Sequence, residues 1–218
     1  MRAVGVITTA TVALTGCFGG GEEESEGARN SGFFFVRRDL SACADDVCER
    51  FTVAPVNGGL ARCADGRASS SCAVGSLDLA DVGITAAQAV TLRAATSPSL
   101  VAPTVVLRGT LDGDRFVATD AWVAPTERPV LGTVVEVVGA GSALIQHRVN
   151  TSTEPVYVTG VDVSAIGDMT ASVRATALAA AASAEGILVA GTAGYDAQER
   201  RVVRAEQVFV RAGALSPQ

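Results

Sequence analysis

Five cysteines carry the chemistry that is easiest to read from this sequence. They are Cys17, Cys43, Cys48, Cys63 and Cys72. Thiols of exported proteins pair as disulfides, whereas closely spaced thiols of intracellular proteins more often bind zinc. If Cys17 has a separate role, an even number of cysteines remains for pairing.

The four later cysteines fall into two close pairs, and three connectivities connect them. We favour Cys43 with Cys48 and Cys63 with Cys72, because each bond would close a short, polar loop and contribute about 2–3 kcal/mol. A four-cysteine zinc site and free thiols are the alternatives. The eight residues between Cys63 and Cys72 fit a zinc knuckle poorly, since knuckles usually place two to four residues between the ligands. We expect no metal and no cofactor.

Cys17 ends a segment that has the features of an export signal. Arg2 precedes an apolar run over residues 3–14, and residues 14–17 read LTGC. The run is too short to span about 30 Å of hydrocarbon. The segment resembles a bacterial lipoprotein signal peptide, which implies removal of residues 1–16 and lipidation of Cys17, for example with palmitate. A plain secretory signal cleaved elsewhere is the alternative.

Residues 17–32 are rich in glycine and glutamate and have little apolar surface to bury. They are expected to form a flexible acidic tether. Phe18 stands where an aspartate would favour retention in the inner membrane. We therefore expect outer-membrane anchoring, with the lipid as the contact to the membrane and the protein facing the periplasm or the cell surface.

The composition excludes some classes of protein. The chain has 218 residues, of which 48% are hydrophobic, and a net charge of −6. This hydrophobic content excludes a disordered chain. A negative protein repels phosphate backbones, so nucleic acid is not an expected partner.

Similar segments recur along the chain. Residues 74–83 (VGSLDLADVG) match residues 158–167 (VTGVDVSAIG) at an offset of 84, and VLRGT at 106–110 matches LVAGT at 188–192 at an offset of 82. An alanine-rich segment lies between the matched blocks in each half. We interpret residues 33–126 and 129–213 as two repeat units within one globular domain.

Each unit is predicted as strand, strand, strand, helix, strand, strand, giving an α+β fold in which antiparallel sheet dominates. The predicted strands are 33–38, 50–56, 73–79, 104–109 and 115–123, then 131–138, 143–149, 156–163, 186–192 and 201–210. Equivalent helices are expected at 85–95 and 169–182, with Thr85 and Asp168 as N-caps. Asp112-Gly113 predicts a hairpin turn.

Other reactive side chains are isolated. His147 is the only histidine and has no nucleophile elbow to serve, so we expect it on the solvent face of a strand. The sequence from Asp112 to Asp114 lacks the remaining ligands of an EF-hand. A hydrolase using Asp39 and Asp120 would need both carboxylates in one cleft. Trp122, Phe116 and Phe209 are expected in the core rather than in a ligand site.

A longer pattern covers about residues 33–125. It resembles an uncharacterised domain of secreted proteins and lipoproteins from myxobacteria-like bacteria. Its elements are FFVRRD at 34–39, Cys43, Cys48, FTV at 51–53, VN at 56–57, RCADG at 62–66, CAV at 72–74 and LDL at 77–79. Glu49-Arg50 departs from the aromatic and Gly-Gly residues that often follow the second cysteine in that family. The resemblance implies export and disulfides, and no activity.

The sequence therefore predicts a non-enzymatic lipoprotein of the cell envelope that binds a protein or glycan partner or has a structural role. A protease inhibitor that presents the loop from Cys63 to Cys72 as bait is the first alternative. A carboxylate-dependent hydrolase is the second.

Overall fold

A computed structural model describes residues 28–40, 50–140 and 143–214. The predicted signal peptide, Cys17, Cys43 and Cys48 lie outside these residues. The described part is a mostly antiparallel β-sheet with two α-helices, which confirms the predicted α+β class.

The strands follow the predicted positions closely. The first half contributes β1 (Ser31–Arg38), β2 (Phe51–Pro55), β3 (Ala61–Arg62), β4 (Ala68–Ser69), β5 (Cys72–Val74), β6 (Ser76–Asp78), β7 (Val105–Asp112) and β8 (Arg115–Val123). The second half contributes β9 (Thr133–Ala140), β10 (Ala143–Arg148), β11 (Val156–Val158), β12 (Gly160–Asp162), β13 (Ile187–Tyr195) and β14 (Arg201–Arg211). Two predicted strands, 73–79 and 156–163, are each divided by one residue, and the short pair β3 and β4 was not predicted. Short 3-10 helices lie at Ala80–Val82 and Ala212–Ala214.

The helices are α1 (Ala86–Ala94) and α2 (Ala171–Ala181). Thr85 caps α1 as predicted: its Oγ1 accepts from the Gln88 N–H at 3.2 Å, and Gln88 Oε1 accepts from the Thr85 N–H at 2.9 Å. This reciprocal pair satisfies two N–H groups of the first turn.

The predicted cap of the second helix is wrong. Thr170 caps α2, with its Oγ1 accepting from the Val173 N–H at 3.3 Å. Asp168 lies two residues earlier and accepts from Arg128 Nη1 at 2.9 Å. A hydroxyl directly before the helix reaches the free N–H groups without an extra turn of chain.

The strands of the first half form a closed circuit, the first barrel. β1 pairs antiparallel with β2 and β7, β2 with β5, and β7 with β8. β6 follows β5 after Gly75 and runs parallel to β8, so the segment 72–78 joins both ends of the circuit. With β5 and β6 counted as one strand, the circuit has five strands, and α1 precedes the fourth, β7. This is the topology of the OB-fold, a small Greek-key barrel.

The second half forms the same kind of circuit, the second barrel. β9 pairs antiparallel with β10 and β13, β10 with β11, and β13 with β14. β12 runs parallel to β14 and closes the circuit. The helix α2 precedes β13, as α1 precedes β7.

Three apolar clusters fill this arrangement. Side chains alternate along each strand, so one set faces into its barrel and the next faces out. The interior of the first barrel includes Phe34, Val36, Phe51, Val53, Leu92, Leu107 and Phe116. That of the second includes Val135, Val137, Ile166, Ala177, Ile187, Val203 and Val208. The third cluster draws on both halves and contains Phe33, Val56, Val106, Trp122, Val134, Val149, Leu188 and Phe209.

The barrels are also joined by sheet pairing. β8 and β14 meet antiparallel, with Val123 opposite Val210 and Trp122 opposite Arg211. The Arg211 guanidinium lies 4.8 Å from the centre of the Trp122 ring and pairs with Asp120. One sheet thus runs through both halves. None of the helices in the described part is long and apolar enough to cross a membrane.

Candidate functional site

A disulfide holds a small hairpin on the first barrel. We call residues 61–72, which contain β3 and β4, the pinned hairpin. Cys63 and Cys72 are bonded, with their Cα atoms 5.2 Å apart. The Cys63 N–H donates to Arg67 O at 2.9 Å, and the Gly66 N–H donates to Cys63 O at 2.9 Å, which forms the turn.

The base of the pinned hairpin is anchored in the barrel. Ala61 is fully buried, and Cys72 is 1% exposed and lies in β5 opposite Val53. The Arg62 N–H donates to Arg29 O at 2.9 Å, so the chain preceding β1 also holds the hairpin. These contacts fix the orientation of the hairpin relative to the barrel.

The tip is exposed and charged. Residues 64–68 (ADGRA) are all exposed. The Arg67 side chain is 87% exposed and lies 3.8 Å from the Asp65 carboxylate, whose Oδ1 accepts from the Arg67 N–H at 3.0 Å. The turn thus exposes the side chains of Asp65 and Arg67 on a short hairpin that backbone hydrogen bonds hold together.

This geometry decides part of the cysteine prediction. The predicted Cys63–Cys72 bond is confirmed, and it excludes a four-cysteine zinc site that includes these two thiols. The predicted Cys43–Cys48 bond lies outside the described residues. Cys72 itself belongs to the barrel strand β5, so the bond connects the loop to the barrel. Across the described ranges, no group of three or more histidine, cysteine, aspartate or glutamate side chains is arranged to hold a metal.

The two candidate hydrolytic carboxylates lie far apart. Asp120 is opposite Arg108, which is opposite Phe33 in β1. Asp39 lies six residues beyond Phe33 along β1, about 20 Å at 3.3 Å per residue. Asp120 is also ion-paired with Arg108, at 3.9 Å, and with Arg211. The structure does not bring the two acids into one cleft.

His147 lies within a strand, and the aspartates at 112 and 114 lie at a hairpin turn. His147 lies half-buried in β10, opposite Glu136. Gly113 and Asp114 form the turn between β7 and β8, and Asp112 pairs with Arg115 at 3.0 Å. Asp114 Oδ1 accepts from the Gly75 N–H at 2.8 Å. The Asp-Gly turn is confirmed.

The predicted core aromatics are buried. Trp122 is 1% exposed, and Phe116 and Phe209 are fully buried. Phe116 lies inside the first barrel, whereas Trp122 and Phe209 belong to the cluster between the barrels.

The sequence did not reveal the structural role of two asparagines. Asn57 has φ +64°, a left-handed conformation that asparagine tolerates better than most residues. Its Nδ2 donates to Val134 O at 2.8 Å and to Val149 O at 3.0 Å, and its Oδ1 accepts from the Val134 N–H at 2.7 Å. Asn57 therefore joins the end of β2 to the second barrel.

Asn150 makes the reciprocal contacts. It has φ +60°, its Nδ2 donates to Phe33 O at 2.7 Å and to Val56 O at 3.0 Å, and its Oδ1 accepts from the Phe33 N–H at 2.8 Å. Each asparagine follows the second strand of its own half and binds the first strand of the other. The one available signal was an asparagine at the same place in each half.

The profile of DUF6748, a domain of unknown function, matches residues 32–210. The chain belongs to the DUF6748 family. The match begins within β1 and ends within β14, so the family domain includes both barrels and extends well beyond the resemblance at 33–125. The chain matches no curated protein and no solved structure.

Proposed function

We propose that this member of the DUF6748 family is a cell-envelope lipoprotein, anchored in the outer membrane through lipid on Cys17, and that it is a non-enzymatic binding module. The observation that carries the binding role is the pinned hairpin, whose anchored base and exposed tip suit recognition of a protein or glycan. A rigid tip loses little conformational entropy when a partner binds.

The anchor is supported by the LTGC segment after a short apolar run and by the disulfide, which fits an oxidising compartment. Cells expressing the full chain are fed an alkyne-tagged palmitate, and the protein is isolated and imaged. We expect label on the natural chain and none on Cys17→Ser. Label retained on Cys17→Ser would contradict the anchor.

The binding role is tested on the hairpin tip. Beads carrying the purified protein are incubated with solubilised envelope, and retained material is compared with that on an Asp65→Ala/Arg67→Ala variant. The matched control is Gln198→Ala/Glu199→Ala, which changes exposed residues beside the β13–β14 turn. We expect a component held by the natural chain and the control but lost by the tip variant. Equal retention by all three would contradict recognition through the tip.

A protease inhibitor is the second candidate, favoured by the exposure of Arg67 inside a disulfide-closed loop. Its natural target would cleave after arginine. Trypsin is the probe, and inhibition lost in Arg67→Ala would support this candidate. The backbone-bonded turn weighs against it, because a protease subsite takes an extended segment.

We further propose that the two halves are copies of one unit packed about a pseudo-twofold axis. The identical circuit of pairings and the reciprocal asparagines support this. The last two strands of each half also have a register shift at the same place, between Arg108 and Gly109 and between Ala190 and Gly191.

A side chain at either of these glycines would overlap a backbone oxygen of the neighbouring strand, Val117 O for Gly109 and Arg204 O for Gly191. Gly109→Ala and Gly191→Ala should therefore destabilise the protein to a similar extent, measured by urea unfolding. Loss of stability in only one variant would contradict equivalent units.

A further inference from the structure

The two barrels differ at the end where β1 and β9 begin. In the first barrel this end is filled by apolar side chains that are all buried: Phe34, Val53, Pro55, Leu111 and Phe116. The Phe34 and Phe116 rings lie 5.2 Å apart in an edge contact. Ala61 and Cys63 of the pinned hairpin pack against the same cluster and close the end.

The same positions in the second barrel carry smaller or polar residues. Cross-strand pairing identifies them, because Phe34 opposite Pro55 corresponds to Val135 opposite Arg148. In the same way Val36–Val53 corresponds to Val137–Gln146, and Leu111–Phe116 to Ala193–Val203. The five replacements are Val135, Gln146, Arg148, Ala193 and Val203.

The chain that would cover this end is also shorter in the second half. The connection between β10 and β11 spans residues 149–155, whereas that between β2 and β5 spans 56–71 and includes the hairpin strands. A cavity of about 310 Å³ therefore opens at the end of the second barrel. Its lining includes Thr133, Val135, Gln146, Arg148, Thr192 and Val203.

Two polar groups in this cavity lack partners. Gln146 Oε1 is buried and has no hydrogen-bond partner among the described residues. The exposed Arg148 guanidinium likewise makes no ion pair or hydrogen bond with any residue that the structure describes. Buried acceptors in native proteins are nearly always satisfied, so this one accepts from a group outside the chain, a water or a ligand hydroxyl.

We propose that the open end of the second barrel binds a small hydroxylated anion of about the size of one sugar ring. Gln146 Oε1 accepts from a ligand hydroxyl, and the planar guanidinium of Arg148 pairs with a carboxylate or phosphate. Val135 and Val203 supply an apolar wall. The volume lies at the lower limit of ligand pockets, about 300–1,000 Å³, which selects one ring over an oligomer.

This site is separate from the proposed recognition by the pinned hairpin, because it lies on the other barrel and uses none of the same residues. If the tip variant shows no loss of partner binding, the proposal for this cavity is therefore unaffected.

The test is calorimetric titration of the purified protein with D-glucuronate, glucose 1-phosphate and glucose. We expect one of the two anions to bind with a Kd of about 1 mM or tighter and glucose to bind at least ~10-fold more weakly, since it lacks the charge that pairs with Arg148. The anion that binds distinguishes a carboxylate site from a phosphate site.

Three variants locate the binding. Ala193→Leu introduces into the cavity a leucine like Leu111 at the equivalent position of the first barrel. This variant should abolish binding. Arg148→Ala should weaken binding of the anion by at least ~10-fold and leave binding of glucose unchanged. Gln146→Leu should weaken binding of both, and it replaces Ala193→Leu as the test if that variant fails to fold. Arg67→Ala, an exposed arginine on the other barrel, is the matched control and should bind normally. Binding of neither anion, equal binding of glucose, or full binding by a folded Ala193→Leu would overturn the proposal.

Discussion

The first barrel is closed at the end where the second is open, although both have the same order of strands. In the first, Phe34 and Phe116 fill the interior and the pinned hairpin covers it. In the second, valines replace the two phenylalanines and leave a cavity that Gln146 and Arg148 also line. Large side chains at a few inward positions thus decide whether the end of a small barrel is packed or open.

The difference should also affect how each barrel tolerates changes in side-chain volume. An empty space in an apolar core costs stability in proportion to its volume. The second barrel has unfilled space at one end, while the first keeps a filled interior and adds a disulfide. We therefore expect the first barrel to tolerate loss of volume poorly and the second to tolerate added volume well.

Exchanging the two residues tests this directly. Phe116→Val in the first barrel should lower the free energy of unfolding by about 2–4 kcal/mol, because a buried ring is replaced by a cavity. Val203→Phe in the second should change it by less than about 1 kcal/mol, since the ring enters existing space and avoids the usual cost of overpacking. Urea unfolding followed by tryptophan fluorescence measures both. Equal losses in the two variants would show that the second barrel is as tightly packed as the first.

The asparagines that join the barrels should have matching effects. Asn57→Ala and Asn150→Ala each remove three hydrogen bonds to the backbone of buried residues in the other half. Each should cost about 2–4 kcal/mol in unfolding free energy. Asn30→Ala is the control and should change it by about 0.5 kcal/mol or less. A large loss for only one of the two would mean that the halves are not joined reciprocally.

Removing the bond of the pinned hairpin should affect one barrel. The double variant Cys63→Ala/Cys72→Ala should lose about 2–3 kcal/mol, chiefly because the unfolded chain becomes less constrained. Hydrogen exchange should quicken most over residues 61–72, by more than the uniform increase that the lower global stability causes in β9 to β14. An increase in the second barrel as large as that in the hairpin would contradict independent closure of the two ends.

The smallest expected effect concerns acid stability. The side-chain hydrogen bond from Ser164, with that of its backbone N–H, lowers the pKa of Asp162. A lowered folded pKa contributes stability above the unfolded value of about 3.9, and the contribution is lost as the pH falls through the folded pKa. Ser164→Ala, which gives this turn the alanine found at position 80 of the first half, should raise the pKa of Asp162 toward its ordinary value. Carboxyl NMR titration measures it, and an unchanged pKa would remove the assigned cause.

The local structure could be predicted from the sequence because its signals are local. Enrichment in valine, phenylalanine and threonine between turn residues indicated the strands, and alanine-rich segments indicated the helices. The pairing of Cys63 with Cys72 followed from their short separation.

Closure of the barrels could not be predicted in this way. It depends on the parallel pairing of β6 with β8, strands that are separated by a helix and a third strand. The roles of Asn57 and Asn150 depend on groups 77 to 117 residues away. The cavity could be recognised only after both barrels were aligned by their pairings, since Gln146 and Arg148 resemble ordinary polar residues of a strand.

Interstrand NOEs test most directly the central claim that each half is a closed barrel of the same kind. The parallel pairings place Leu77 opposite Phe116 and Val161 opposite Val203. The account predicts backbone NOEs across both pairs in the isotope-labelled protein. NOEs across one pair only, with the other strand pairing elsewhere, would contradict it.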